Sequence, residues 1–257
     1  MALNVKKPEP MQVGERYIYT LTSYDPVEIE LLVPYVSEYE IELAVAGIIA
    51  NGHKQGEEIT DEWVAEHIEG AHSIDDLRTA VRQQITEMNA MSLEEQKQSL
   101  CFNQLAERLM QSIPESEVRL MRNALKGNMM QQGLTEEQIT ASFGGSAEMA
   151  NKILLSQAQM ACEQRAALDA YASHLDLEVD EEDMPKLLGL EEKEALHFIA
   201  QAKLAGTLEQ LKQNIMRNKA AQIVLEEAKC TYHHETAEEA QKRMEAQVPG
   251  GMPSQLS

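Results

Sequence analysis

Three cysteines, seven histidines and two glycine pairs are the residues whose types could make this 257-residue chain a catalyst, a metal binder or a nucleotide binder. Nucleophilic catalysis needs a thiol, hydroxyl or amine activated by a base. None of Cys101, Cys162 and Cys230 stands beside a glycine-rich turn or another nucleophile signature, so an enzyme is disfavoured. Cys230, His233 and His234 offer soft and borderline donors for zinc. No second cluster follows at zinc-finger spacing, and the reading there is structural rather than metal-binding. His67 and His72 flank Gly70 and read as surface residues, and His174 and His197 are each a lone histidine in a helical stretch. Gly144-Gly145 and Gly250-Gly251 lack the Lys-Ser/Thr of a phosphate loop and follow no strand, which disfavours nucleotide binding. The expectation is no catalytic residue, no metal and no cofactor.

The methionines say more. There are 14, and Met110, Met121, Met129, Met130, Met149 and Met160 fall in the middle of the chain. Methionine is flexible and polarizable, so an exposed row of it can repack around varied apolar segments. Any one methionine is more often a core filler. Their concentration in long helical segments favours a binding surface, with Met121, Leu125, Met129, Met130, Phe143, Ile153 and Met160 as its expected contact residues.

The elements that must carry these residues are mostly helical. Tyr17, Tyr19 and Leu21 alternate, as do Val27, Ile29, Leu31 and Val33 after Tyr24-Asp25-Pro26, giving two expected strands around a turn. Strand is expected only between Arg16 and Val33. From Ser37 the period becomes helical, with Ile41, Val45, Ile48 and Ile49 on one stripe that stops at Asn51-Gly52. Thr60 opens a short helix with Trp63, Val64 and Ile68. Ser73 and Asp76 stand at capping-box spacing ahead of Ile74, Leu77, Val81, Ile85 and Met88. One helix through Leu109 to Ser112, or a new one capped by Ser92 and Glu95 after a break near Met91, both fit.

Pro114 then suits a first helical turn, and Val118, Met121, Leu125 and Met129 form the next stripe, closed by Gly133. Because the residue before proline disfavours the α region, a break between long helices is expected at Ile113-Pro114. Thr135 and Gln138 cap a short segment ending at Phe143-Gly144-Gly145. A long helix starts at Ser146, carrying Met149, Ile153, Met160, Leu168, Tyr171 and Leu175. Nine acidic residues and two lysines between Asp176 and Glu194, with Pro185 and Gly189, read as a solvated connector. Leu204, Leu208, Leu211 and Ile215 open a last long helix running to Ala228, a weakly helical stretch reaches Gln247, and a Pro/Gly/Ser tail follows.

Composition sets the remaining bounds. With 43 acidic against 22 basic residues the formal charge is −21, which repels phosphate backbones and anionic lipid, so nucleic acid and membrane are poor partners. No apolar run has the length of a signal peptide core or a bilayer span, and three separated cysteines suit a reducing compartment; the expected location is the cytoplasm.

Several segments together resemble the trigger factor family. Thr60-Asp61-Glu62-Trp63-Val64, then Leu77-Arg78-x-x-Val81-Arg82, is similar to the stretch where that family's chain leaves its prolyl isomerase domain and enters the first chaperone helix. Ile113-Pro114-Glu115-Ser116-Glu117-Val118 resembles the start of its next helix. Asn214-Ile-Met-Arg-Asn218, Ala220 and Val224-Leu225-Glu226-Glu227-Ala228-Lys229 resemble its last long helix. The similarity runs in register over residues 60–232. Tyr35 to Gly52 resembles the lead-in to the isomerase domain, whose body has no counterpart before Thr60. The ribosome-docking loop, of Gly-Phe-Arg-x-Gly-Lys type, has no counterpart either. Ribosome docking and prolyl isomerisation are therefore not carried over.

The resemblance implies a mainly α fold: an elongated helical body with long antiparallel arms, plus a small N-terminal β hairpin or extended strand segment. The expected organisation is a disordered start over 1–13, a strand pair and helix over 14–53, a helical trigger-factor-like chaperone domain over 54–232, and a weakly ordered tail over 233–257. The expected function is ATP-independent, chaperone-like binding of unfolded, partly folded or nascent polypeptide in an apolar cradle between the arms. The alternative is an assembly or scaffold protein that binds one folded partner or, as a homodimer, a second copy of itself.

Overall fold

The computed structural model describes residues 7–14, 16–52 and 58–247. More than half of the described residues are helical, and the fold is mainly α with a small N-terminal antiparallel hairpin. In chain order the elements are β1 (Met11–Val13), β2 (Arg16–Ile18), β3 (Glu28–Val33), α1 (Glu38–Gly52), α2 (Asp61–His67), α3 (Ile74–Glu107), α4 (Glu115–Gln131), α5 (Glu136–Ser142), α6 (Ala147–His174), α7 (Met184–Leu187), α8 (Glu192–Leu204), α9 (Leu208–Glu227), β4 (Lys229–His234) and α10 (Ala237–Gln247). Most helix starts follow the expected caps. The Thr60 hydroxyl accepts from Trp63 N, Ser73 from Asp76 N and Ser146 from Met149 N, each relieving one orphan donor of the first turn.

The strands pair differently from the expectation. The two alternating segments do not form a hairpin with each other: β2 pairs with β1 in the register Met11↔Ile18, Gln12↔Tyr17, Val13↔Arg16, and β3 pairs with β4. Strand is thus not confined to Arg16–Val33. Bonds from Lys229 N to Val27 O and from Glu235 N to Val33 O keep one offset, so β3 and β4 run parallel. Parallel strands need a long crossover, and here it is nearly the whole helical chain. A partner that distant leaves no local signal, which is why β4 reads as the tail of a helix.

The helices also differ in places. α3 is unbroken from Ile74 to Glu107, without a break at Met91, and its Met88 is exposed rather than core-facing. The break at Ile113-Pro114 is present, lying between α3 and α4. The acidic stretch 176–194 is more than a solvated connector, because it carries α7 with Met184 fully buried. Leu204 does not open the last long helix. It ends the separate helix α8 and is 90% exposed, and Gly206 at φ +71° turns the chain into α9. Residues 248–257, the expected tail, lie outside the described residues, as do residues 1–6 of the expected disordered start.

The chain divides into two compact units, one of Met1–Glu28 and Gln98–Lys229, the other of Ile29–Lys97 and Cys230–Ser257. The core of the second unit joins Ile41 and Val45 of α1, Trp63 and Val64 of α2, Ala71, and Leu77 and Val81 of α3. Arg78 and Arg82, on the outer side of that same stretch of α3, reach Glu42 and Glu38 of α1 at 2.6 and 2.7 Å. In the first unit, Val179, Met184, Ile199, Ala202, Leu211 and Ile215 form a core that seats α7, α8 and α9 together.

Candidate functional site

The candidate site lies in the first unit, on α4, α5 and α6. Helices α4 and α6 pack against each other, and α5 against α6. Two bonds give their direction: the Cys162 thiol donates to Glu117 O at 3.8 Å, and Arg122 Nη1 donates to Asn151 Oδ1 at 2.8 Å. Five residues forward on α4 correspond to eleven back on α6, so the pair is antiparallel. The buried row of α6 is Ala150, Leu154, Ala158, Cys162, Ala166 and Ala170, one residue every four. Such a row is one ridge of an α-helix, and small side chains along it let a neighbouring helix come close.

Alanine fills the seam, so the larger apolar residues fall beside it. Of the seven expected contact residues none is buried: Met121, Leu125, Met129, Phe143 and Ile153 are half-buried, and Met130 and Met160 are 47% and 46% exposed. Leu120 and Met149 are exposed on the same helices. Phe143 caps the C-terminus of α5, where Gly144 takes φ +96° and lies against Met149.

Met121 also lines a cavity of about 320 Å³ with Leu120 and Ala124 of α4, Cys162 and Asp169 of α6, and Tyr17 and Tyr19. The two tyrosine rings stand 6.5 Å apart, tilted. Burial, then the negative Glu117, pushes the Tyr19 hydroxyl up to about 12, and the same two causes push the Cys162 thiol up to about 11. Both groups stay neutral near pH 7, so the thiol is un-ionised rather than a nucleophile, in a wall that mixes apolar side chains with Arg16, Glu117, Arg165 and Asp169. A second cavity of about 280 Å³ lies between the same tyrosines and Ala172, Leu177, Gln213 and Met216.

Helix α9 is locked onto α6 at the wall of these cavities. Arg217 takes both Asp169 oxygens at 2.8 Å, Gln213 Nε2 donates to Asp169 Oδ2 at 3.2 Å, and Tyr171 donates to Glu227 at 2.9 Å. Among the described residues no group of three or more His, Cys, Asp or Glu side chains is placed to hold a metal, and no helix is long and apolar enough to cross a membrane.

Sequence reading missed two features. Tyr17 and Tyr19 read as strand positions only, although their alternation does place both on one side. Leu196, Phe198 and Leu204 of α8 are also exposed, on a helix not expected as a separate element, the connector being expected at Asp176 to Glu194 and Leu204 at the start of the last long helix.

A family model described as bacterial trigger factor protein C-terminus matches residues 73–226, more than half of the chain. No curated protein matches it. Among solved structures, the crystal structure of a hypothetical Mycoplasma protein is similar, with 13% identity and a TM-score of 0.41 over 84% of this chain and 90% of that one.

Proposed function

We propose, on the premise that this chain belongs to the bacterial trigger factor C-terminal family, that it binds unfolded or partly folded polypeptide without nucleotide. The family carries a chaperone-like role; the apolar surface of α4, α5 and α6 as the place of binding is our reading. The observation that supports it most is that Met121, Leu125, Met129, Met130, Phe143, Ile153 and Met160 all keep solvent exposure while alanines do the packing. Covering such side chains with an apolar client segment contributes roughly 2.5 kcal/mol per 100 Å² removed from water, and no chemical step is required. Methionine adapts to clients of different shape. The net charge of −21 adds a bias: basic apolar clients are held more tightly than acidic ones at low salt, and the difference fades as salt screens it.

The test is aggregation of an unrelated refolding protein, followed by light scattering without nucleotide. The wild-type chain suppresses it. Replacing Met121, Leu125, Met129 and Met130 together by serine weakens suppression while circular dichroism shows helicity retained. Full suppression by a helical variant removes these four residues as contacts. Absence of suppression by the wild type, together with a saturable complex with one folded partner, would establish the assembly role instead.

A further inference from the structure

The groove beside α4, α6 and α9 is already occupied by part of the chain itself. Arg16, Tyr17 and Tyr19 line both cavities described above, and so do Asp169 of α6 and Gln213 of α9. The two cavities are therefore halves of one groove, divided by the strand that carries the two tyrosines.

The hold on this strand is uneven. Its N-terminal end is fastened where Ser112 N donates to Pro8 O at 2.9 Å, beside the buried Pro10. Its C-terminal end is fastened where Met110 N donates to Thr20 O and Thr20 N to Gln111 Oε1, both at 2.9 Å, with Leu21 buried next to them. Both anchors thus sit on one short stretch, Met110 to Ser112, like two hinges on one frame. Between them, among the described residues, main-chain bonding stays inside the β1–β2 ladder. Strands of three residues do not hold themselves in water. Among the described residues the side-chain bond outward is Arg16 to Glu209 at 3.5 Å, with the two side chains 48% and 70% exposed, a pair that contributes little. Met11, Val13 and Ile18 are largely exposed, and Val13 and Ile18 reach only the open second cavity.

We infer that the β1–β2 hairpin is a hinged strap filling the polypeptide-binding groove, and that an extended client segment replaces the Tyr17–Tyr19 strand when the strap swings out on its Met110–Ser112 anchors. The inference rests on the proposed function and adds a control to it. Because the strap competes for the seat, apparent client affinity is the intrinsic affinity multiplied by the fraction of molecules with the strap out. Loosening the strap raises affinity, which is the opposite of what removing a client contact does.

The experiment uses the full chain and a labelled peptide with the sequence of residues 16–23, Arg-Tyr-Ile-Tyr-Thr-Leu-Thr-Ser. An Arg16→Ser/Tyr17→Ser variant binds this peptide about fivefold or more tightly than wild type, by fluorescence anisotropy, with helicity and urea midpoint retained. Equal or weaker binding by a folded variant overturns the strap. Should the variant fail to fold, hydrogen exchange on the wild type decides: Tyr17 and Ile18 amides exchange faster with saturating reduced, carboxymethylated client, and unchanged or slower exchange overturns the inference. Peptide binding reads the seat alone and aggregation suppression reads the chaperone activity. A wild type without suppression, whose loosened variant still gains peptide affinity, sinks the proposed function and leaves the strap standing.

Discussion

Arg217 grips Asp169 with two parallel hydrogen bonds, Nε to Oδ1 and Nη2 to Oδ2, both 2.8 Å, and the side chains are only 13% and 21% exposed. The pair fastens α9 to α6 at the tyrosine groove, which Asp169 itself lines, and Asn214 Oδ1 accepts from Arg217 Nη1 to hold the guanidinium in plane. Removing one partner strands the other in a mostly dry seam. Arg217→Met should cost about 2 kcal/mol in urea unfolding, and Arg217→Lys should recover only part of it, because an ammonium cannot make the fork. A change within a few tenths of a kcal/mol would show that the pair is not a fastening.

The α6 seam separates packing from binding. Ala158 is fully buried in the row of small residues, whereas Met160, two positions on, is half exposed. Ala158→Leu forces extra volume between α6 and α4 and should destabilise by about 1–3 kcal/mol. Met160→Ser should leave the urea midpoint nearly unchanged and weaken client binding. Equal effects of the two changes on stability would mean that the seam is misplaced.

Alkaline pH should loosen the first unit before it affects much else. Tyr19 and Tyr171 are both pushed up to about 12, each by burial first, then by Glu117 for Tyr19 and by the hydrogen bond to Glu227 for Tyr171; Cys162 is pushed up to about 11. A folded-state value above the unfolded one means that the native state holds its proton longer. The associated stability is therefore fully present below pH 9 to 10, the ordinary range of these groups, and is lost as pH rises toward 12. Absorbance at 295 nm should show two tyrosines titrating late, and a Tyr19→Phe/Tyr171→Phe variant should lack that late phase. A single titration near 10 for all tyrosines would contradict the burial of both hydroxyls.

The two ends of α5 each depend on a local device. Thr135 and Gln138 exchange both bonds of a capping box, Gln138 N to Thr135 Oγ1 at 3.2 Å and Thr135 N to Gln138 Oε1 at 2.9 Å. Gly144 sits at φ +96°, and a Cβ there would meet Met149 Cγ at 3.0 Å. Thr135→Ala and Gly144→Ala should each cost about 1 kcal/mol. Both should loosen Phe143 and Met149, read as faster amide exchange over α5 with the rest of the chain unchanged.

The helical class and most helix starts were legible from the residues, because caps and 3.6-residue periodicity act within one or two turns. Thr60, Ser73, Thr135 and Ser146 cap where their spacing says they should, and the Ile113-Pro114 break lies where proline sterics put it. The motifs that carry the family resemblance are structural for equally local reasons: Leu77 and Val81 are buried while Arg78 and Arg82 pair with α1, and Ile215, Ala220 and Val224 are buried around Arg217.

Tertiary structure alone decided what lies far apart in the chain. Strand β4 became a strand because β3, some two hundred residues earlier, offered it an edge, and the alternating segment pairs through Arg16–Ile18 with β1 and through Leu21 with Leu109 rather than with Val27–Val33. It also decided which side of α6 is core. Alanine contributes little to a hydrophobic pattern yet packs closest, so Met149 and Met160 were left for the solvent side while four alanines joined Leu154 and Cys162 in the buried row. A periodicity reading ranks side chains by hydrophobicity, whereas the approach of two helices is limited by their size.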